Sequence, residues 1–282
     1  MKQPTVVTTV ADLRASVENW RREGRRVALV PTMGALHDGH LSLVAGAREL
    51  ADRTIVSIFV NPAQFAPHED FGRYPRDLGR DCAYLASQGL SDLVFAPETG
   101  ELYPGGFATR IEVGGPALGL ETEFRPHFFS GVATVVAKLL IAARPHVAVF
   151  GEKDYQQLLV VRRLVHDLLL EVEIAGLPIV REASGLALSS RNAYLGALDR
   201  PVAERLNVVL SELVQRLRGG EAIARVEQFG RDALRIAGFD RVDYVVVRDA
   251  ADLSTLKQPT ANMRVLSAAR IGSVRLIDNM AV

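Results

Sequence analysis

One cysteine among 282 residues leaves no intrachain disulfide to form. A cystine-stapled secreted scaffold is therefore excluded, and a reducing cytosol is the expected compartment. That residue, Cys82, falls on an apolar helical stripe with Leu78 and Leu85 and is expected in a core. An excess of charge of one sign is missing too. Lys plus Arg, 33, equals Asp plus Glu, 33, so no global positive field recruits nucleic acid or an anionic membrane. Uninterrupted apolar runs are also lacking: Ala133–Ile141 and Leu158–Leu170 are broken by Lys138 and by Arg162 and Arg163, and no basic-apolar-small leader opens the chain. These absences point to a soluble cytoplasmic protein without membrane or nucleic-acid partners. With 48% hydrophobic residues, there is material for one large core or two small ones, and two domains are expected.

The stretch that organises the chain is Pro31 to His40, PTMGALHDGH. A short apolar β-type segment, Arg26 to Val30, precedes it, and Leu41, Val44, Ala47 and Leu50 follow at helical spacing. A strand thus turns into a helix here, and the first N–H groups of a helix, with its positive dipole end, welcome an anion such as a phosphate. His37 and His40 share one side of that first turn, and Gly39 lets a ligand approach the backbone.

Strand and helix patterns then alternate. Leu13, Val17 and Trp20 mark a first helix that Gly24 ends; Thr54 to Val60 is a β-branched, doubly buried strand; Asp77 to Gln88 is a helix closed by Gly89; Asp92 to Ala96 is a strand. Arg110 to Val113 is expected as an extra short strand and Leu120 to Ser130 as loop. A helix over Val132 to Ala143, a strand over Val147 to Phe150 and a helix with Leu158, Val161 and Val165 follow. Beyond Ile174 the alternation stops. Two helices, Asp199 to Leu217 and Glu221 to Ala237, precede strands at Val242 to Val247, Arg264 to Ala269 and Ser273 to Ile277. The pattern predicts a Rossmann-like, doubly wound parallel sheet over residues 1–179 and a smaller C-terminal α+β domain over 180–282.

In an open α/β sheet the loops beyond the carboxyl ends of the strands form the ligand crevice. Three such loops carry chemistry. Asn61 and Gln64 present amides for a hydroxylated substrate, although Asn61-Pro62 read alone is also ordinary turn chemistry. Gly151-Glu152-Lys153-Asp154 offers an ammonium for phosphate and a carboxylate for a ribose hydroxyl, or else a solvated charge run. Leu188-Ser189-Ser190-Arg191-Asn192, at the expected domain junction, sets hydroxyls beside a guanidinium, suited to a polyphosphate but equally to a linker.

The HxGH element resembles the HIGH-type signature of the nucleotidyltransferase superfamily. PTMGALHDGH, VSIFVNPAQF, YPRD, GVATVVAKLL, VFGEKDYQQL, GLALSSRN and ARIGSVRLIDN together resemble the pantothenate synthetase family, the pantoate:β-alanine ligases, over nearly the whole chain. That resemblance implies a homodimer that uses ATP and Mg²⁺ to join pantoate to β-alanine through a pantoyl adenylate, giving pantothenate, AMP and pyrophosphate. It implies that Met33, Gly34, Ala35, Leu36, His37, Asp38, Gly39 and His40 bind ATP, with His37 and His40 on its phosphates. Lys153 is implied at the α-phosphate, Gly151 and Asp154 at the ribose with Glu152 between them, and Val180 at the adenine. Ser189, Ser190 and Arg191 are implied at the outgoing pyrophosphate, with Leu188 beside them in the ATP site. Gln64 and Gln157 match the pantoate-binding glutamines, and Asp81 a position linked to Mg²⁺.

The chain departs from the family where Arg-Pro-x-His-Phe-x-Gly-Val becomes Arg125 to Val132 with His127 one place early and Phe128 at the usual imidazole, at Thr122, and at Ser184. His127 is expected to supply the displaced imidazole. A nucleotidyltransferase releasing an activated nucleotide would share HDGH but not the glutamines or SSRN, and the loop departures leave a non-catalytic nucleotide-binding protein as a third reading. Length and the lack of a basic domain disfavour an aminoacyl-tRNA synthetase.

Overall fold

The computed structural model describes residues 3–65, 70–72 and 74–282. They form two compact units: Met1–Glu152 with Val160–Pro178, and Lys153–Leu159 with Ile179–Val282. The short segment Lys153–Leu159 thus groups with the C-terminal residues, a regrouping that a single linear boundary at 179/180 does not anticipate.

The first unit is built on six parallel strands in the order β1-β4-β3-β2-β5-β6. They are β1 (Thr5–Val7), β2 (Val27–Thr32), β3 (Arg53–Ile58), β4 (Leu93–Phe95), β5 (Val147–Gly151) and β6 (Glu173–Leu177). Its helices are α1 (Val10–Arg22), α2 (Asp38–Leu50), α3 (Leu78–Gln88), the single turns α4 (Thr99–Leu102) and α5 (Glu121–Phe124), α6 (Phe128–Ala143) and α7 (Tyr155–Asp167), which runs on from the second unit's short segment. Side-chain alternation divides the sheet's residues between two layers. Ala28, Val30, Val56, Val94, Val147 and Val149 pack with Leu41, Val44 and Ala47 of α2 and Leu85 of α3. Val27, Leu29, Ile55, Leu93 and Ala148, equally buried, point the other way, where α1 and α6 touch β2 and each other. Helices cover both faces, so the strands read as continuous apolar runs. The strand order reverses between β2 and β5, which makes the space beyond their carboxyl ends the crevice of this sheet.

Four local expectations are corrected. Arg110 to Val113 is not a strand; instead the Ile111 N–H donates to the Thr134 hydroxyl, 3.0 Å. The supposed loop from Leu120 to Ser130 contains α5 and the first turn of α6. Alternation continues past Ile174 as β6, and Thr5–Val7 adds an edge strand. Cys82 is only half-buried at the margin of the α2–α3 core, and burial raises its thiol above the ordinary value.

The second unit packs α8 (Asp199–Arg218) and α9 (Ile223–Ile236) on an antiparallel sheet, β7 (Arg241–Asp249), β8 (Met263–Ile271) and β9 (Val274–Ala281), in the order β7-β8-β9. Leu206, Leu210 and Leu213 of α8, Val226 and Leu234 of α9, and Val245, Val247 and Val265 of the sheet make its core. Gly230 is where α9 comes closest: a Cβ there would lie 2.8 Å from both Leu213 Cδ1 and Val245 Cγ1. The fold is a parallel doubly wound sheet with a smaller α+β unit.

Candidate active site

β2 ends on Thr32, whose hydroxyl donates to the Ser57 carbonyl (2.7 Å) and accepts the Gly34 N–H (3.2 Å). Gly34 and Ala35 then take the left-handed conformation, φ +80° and +51°. Only glycine fits at 34, where a Cβ would stand 2.9 Å from Asp81 Oδ2 and 3.1 Å from Ile58 Cγ2. Asp81, in the first turn of α3, accepts the N–H of Ala35 (3.0 Å) and of Leu36 (2.9 Å). Leu36 anchors the loop in the core, and His37 caps α2.

The two imidazoles cap the helix reciprocally. His37 Nδ1 accepts the Gly39 N–H (3.1 Å) and His40 Nδ1 the His37 N–H (3.4 Å). A neutral imidazole whose Nδ1 is an acceptor carries its proton on Nε2. The ring centroids are 4.1 Å apart, and both rings stand on one turn at a positive helix terminus. Asp38, on the exposed side, accepts a hydrogen bond from the Tyr84 hydroxyl; that bond, and then burial, hold the phenol above its ordinary pKa.

Beyond β3, Asn61 caps the single turn Pro62–Gln64. Its amide is 1% exposed and saturated. Nδ2 donates to Gln64 Oε1 (3.2 Å) and the Gly131 carbonyl (3.1 Å), while Oδ1 accepts from the Ala63 N–H (3.3 Å) and the Tyr103 hydroxyl (2.8 Å). Within the fold both ends of the Asn61 amide are engaged, one of them by Gln64. Gln64 Nε2 reaches Met33 Sδ at 2.8 Å, joining this turn to the histidine loop. Sequence reasoning missed Tyr103, whose phenol burial pushes up to about 12, and Lys138, whose ammonium lies 4.2 Å from the Phe107 ring centroid and 5.5 Å from that of Tyr103. Neither carried a local signal, since both act across the chain.

β5 ends at Gly151, and one 3-10 turn, Glu152–Asp154, leads into α7. In the second unit Lys153 Nζ lies 3.7 Å from Asp154 Oδ2, and its carbonyl accepts Asn279 Nδ2 at 3.0 Å. Asn279 Oδ1 accepts in turn from Arg264, whose guanidinium stacks 3.7 Å over the Tyr155 ring. Gln156 is buried, whereas Gln157 is half-buried with no hydrogen-bond partner among the described residues.

A small hairpin follows: the Leu188 N–H donates to the Val180 carbonyl (3.0 Å), and Arg181 bridges to Ala187. Arg181 also forks onto the buried Asp278 carboxylate at 2.7 and 2.9 Å. Ser189 then caps the turn Ser190–Tyr194 by accepting the Arg191 N–H (3.3 Å). Asp278 and Asn279 belong to the ARIGSVRLIDN motif, to which the sequence assigned the family resemblance but no site residue. In the fold this pair holds the hairpin before SSRN and the carbonyl of Lys153.

Asp81, the expected Mg²⁺ position, is 2% exposed, and each of its oxygens is occupied by a loop N–H. No group of three His, Cys, Asp or Glu among the described residues could hold a metal. The residues do not fit a protein-built Mg²⁺ site. His127 is exposed, just before α6, and Phe128 lies under the Arg125 guanidinium at 3.8 Å. Ser184 is exposed in the hairpin turn, and the Thr122 hydroxyl donates to the Ala117 carbonyl. No helix is long and apolar enough to cross a membrane among the described residues.

A family model described as pantoate-beta-alanine ligase matches residues 5–281. The pantothenate synthetase of Mesorhizobium japonicum is 56% identical over 282 residues, all of this chain and 99% of that protein. The crystal structure of pantothenate synthetase from Thermus thermophilus superposes with a TM-score of 0.92 at 48% identity, covering 98% of each chain. A pantoate-beta-alanine ligase from Francisella tularensis, complexed with beta-gamma ATP and beta-alanine, is 34% identical with a TM-score of 0.83, covering 99% of this chain and 97% of that one.

Proposed function

The chain belongs to the pantoate-beta-alanine ligase family, and from that premise we propose that it joins pantoate to β-alanine through a pantoyl adenylate, with ATP as co-substrate. The observation that carries this reading is the pair of Nε2–H imidazoles at the N-terminus of α2, beyond β2 where the strand order reverses.

The chemistry explains why such a site is needed. A carboxylate is a poor acyl donor because its leaving group would be oxide. The pantoate carboxylate oxygen therefore attacks the α-phosphorus of ATP, the bond to the β-phosphate oxygen breaks, and pyrophosphate leaves. Charge grows on the phosphate oxygens in that step, where preorganised donors act most strongly. His37 and His40 supply two of them. The β-alanine amine, as the free base, then attacks the acyl carbon; AMP leaves with the former carboxylate oxygen, and the new amide loses a proton.

For the remaining residues the family resemblance supports these roles: Lys153 at the α-phosphate, Gly151 and Asp154 at the ribose, Val180 at the adenine, Ser189, Ser190 and Arg191 at the pyrophosphate, and Gln64 with Gln157 at the pantoate hydroxyls. Gln157, with an uncommitted amide, suits that task. Mg²⁺, when bound, neutralises nucleotide phosphate charge, with phosphate and water oxygens as its principal ligands. A cytoplasmic homodimer completes the proposal.

The deciding experiment is exchange of labelled pyrophosphate into ATP. It should require pantoate and proceed without β-alanine; exchange that ignores pantoate would overturn the reading.

A further inference from the structure

We propose that Asp81 and Tyr84, one helical turn apart on α3, are positioning residues that clamp the HxGH turn from both sides, and that Asp81 serves the reaction through the loop backbone instead of through Mg²⁺. The proposal rests on the adenylation reading above. A buried carboxylate is tolerated when paired or fully hydrogen-bonded. Asp81 is 2% exposed and has no cation within ion-pairing distance among the described residues, but each oxygen accepts a charge-assisted bond from a loop N–H, Ala35 at 3.0 Å and Leu36 at 2.9 Å.

Those bonds secure an unusual piece of backbone. Ala35 has φ +51°, which an L-residue keeps only when its surroundings over-determine it. The carboxylate is that determinant, and it also presses on Gly34 so closely that no side chain fits there. Three residues along the same helix face, the Tyr84 hydroxyl donates to Asp38. One face of α3 therefore grips the residues immediately before His37 and the residue immediately after it. The imidazoles, whose Nδ1 atoms are tied to the same backbone, inherit its position. Direct coordination of Mg²⁺ would bring the ion beneath the loop, to a carboxylate that is 2% exposed and already bonded through both oxygens. Proximity effects explain why a brace matters: a misplacement of about 1 Å costs on the order of a hundredfold in rate.

The test is Asp81→Asn in the full chain. The amide matches the carboxylate in shape but turns an NH₂ toward one of the loop N–H groups. In the protein without nucleotide, the Ala35 and Leu36 amides should exchange with solvent at least about tenfold faster, on the scale of one lost hydrogen bond. In pantoate-dependent pyrophosphate exchange, kcat should fall by about a hundredfold, with KM for ATP little changed and no recovery on raising Mg²⁺. Recovery at high Mg²⁺ would make Asp81 a metal ligand and overturn the proposal, as would unchanged amide exchange. If Asp81→Asn does not fold, Tyr84→Phe carries the test. It should lower kcat without raising KM and speed exchange at Gly39; wild-type values for both would sink the clamp. Failure of the wild-type chain to catalyse pantoate-dependent exchange would defeat the functional reading, and the amide measurement would still decide whether the clamp exists.

Discussion

At the scale of the residue, the site depends on which nitrogen of each imidazole holds the proton. Both Nδ1 atoms accept backbone N–H groups, which places the proton of each neutral ring on Nε2. Replacing His37 or His40 by alanine should lower the adenylation rate by roughly a hundredfold, the scale of one lost oxyanion donor, while weakening ATP binding much less. Single-turnover rates set against equilibrium ATP binding check this, and near-normal turnover in either variant would remove the role. A third histidine works differently. His146 Nδ1 accepts the Val27 N–H at 2.9 Å, and its pKa is lowered by burial first and then by the charges of Arg21 and Arg26. The folded state thus disfavours the imidazolium that the unfolded chain forms freely. Stability from this group is complete above the ordinary histidine value of about 6.5 and is lost as pH falls from there through the lowered folded value. His146→Asn, which keeps an acceptor for Val27 but cannot titrate, should flatten that part of the stability–pH curve measured by urea unfolding.

At the scale of the element, the closest contact near the site is between α6 and the Pro62–Gln64 turn. A Cβ on Gly131 would lie 2.3 Å from the Ala63 carbonyl oxygen and 2.8 Å from the Gln64 nitrogen, both backbone atoms with no freedom to swing aside. Gly131→Ala should therefore push α6 off the turn, break the Asn61–Gly131 bond and disturb Gln64. A loss of about 1–3 kcal/mol is expected from overpacking, with a raised KM for pantoate and a smaller effect on ATP; denaturant unfolding and initial rates measure the two parts. Helices and central strands of this kind are legible because their periodicity is local, as Leu41, Val44 and Ala47 on α2 illustrate. Edge strands were not: Thr5–Val7 spans three largely exposed residues, and Glu173–Leu177 contains Gly176, so neither carries the buried β-branched run that marks β3.

At the scale of the whole molecule, the last strand acts on segments far back in the chain. Asn279 holds the Lys153 carbonyl, 126 residues away in sequence, and Asp278 holds Arg181, 97 residues away. Asn279→Ala should strand the Lys153 carbonyl and remove a partner of the buried Arg264 guanidinium, at a cost of about 1–3 kcal/mol. Because Lys153 and Asp154 follow that tether directly, pyrophosphate exchange should fall as well. A variant with wild-type exchange and stability would show that the closing motif serves another end.

What the sequence determined by itself was whatever depends on neighbours along the chain: the alternation that makes a parallel doubly wound sheet, the strand-to-helix turn at HDGH, and two imidazoles three residues apart on one side of it. Tertiary structure alone decided what those groups rest on. The oxygens of Asp81 meet N–H groups 45 and 46 residues earlier, and the Asn61 amide is consumed by Gln64, Gly131, Ala63 and Tyr103. A carboxylate that could bind a cation and one that braces a loop look the same in sequence. They differ only in whether the returning chain brings N–H groups or solvent to the oxygens, and that is settled by how helices pack on the sheet.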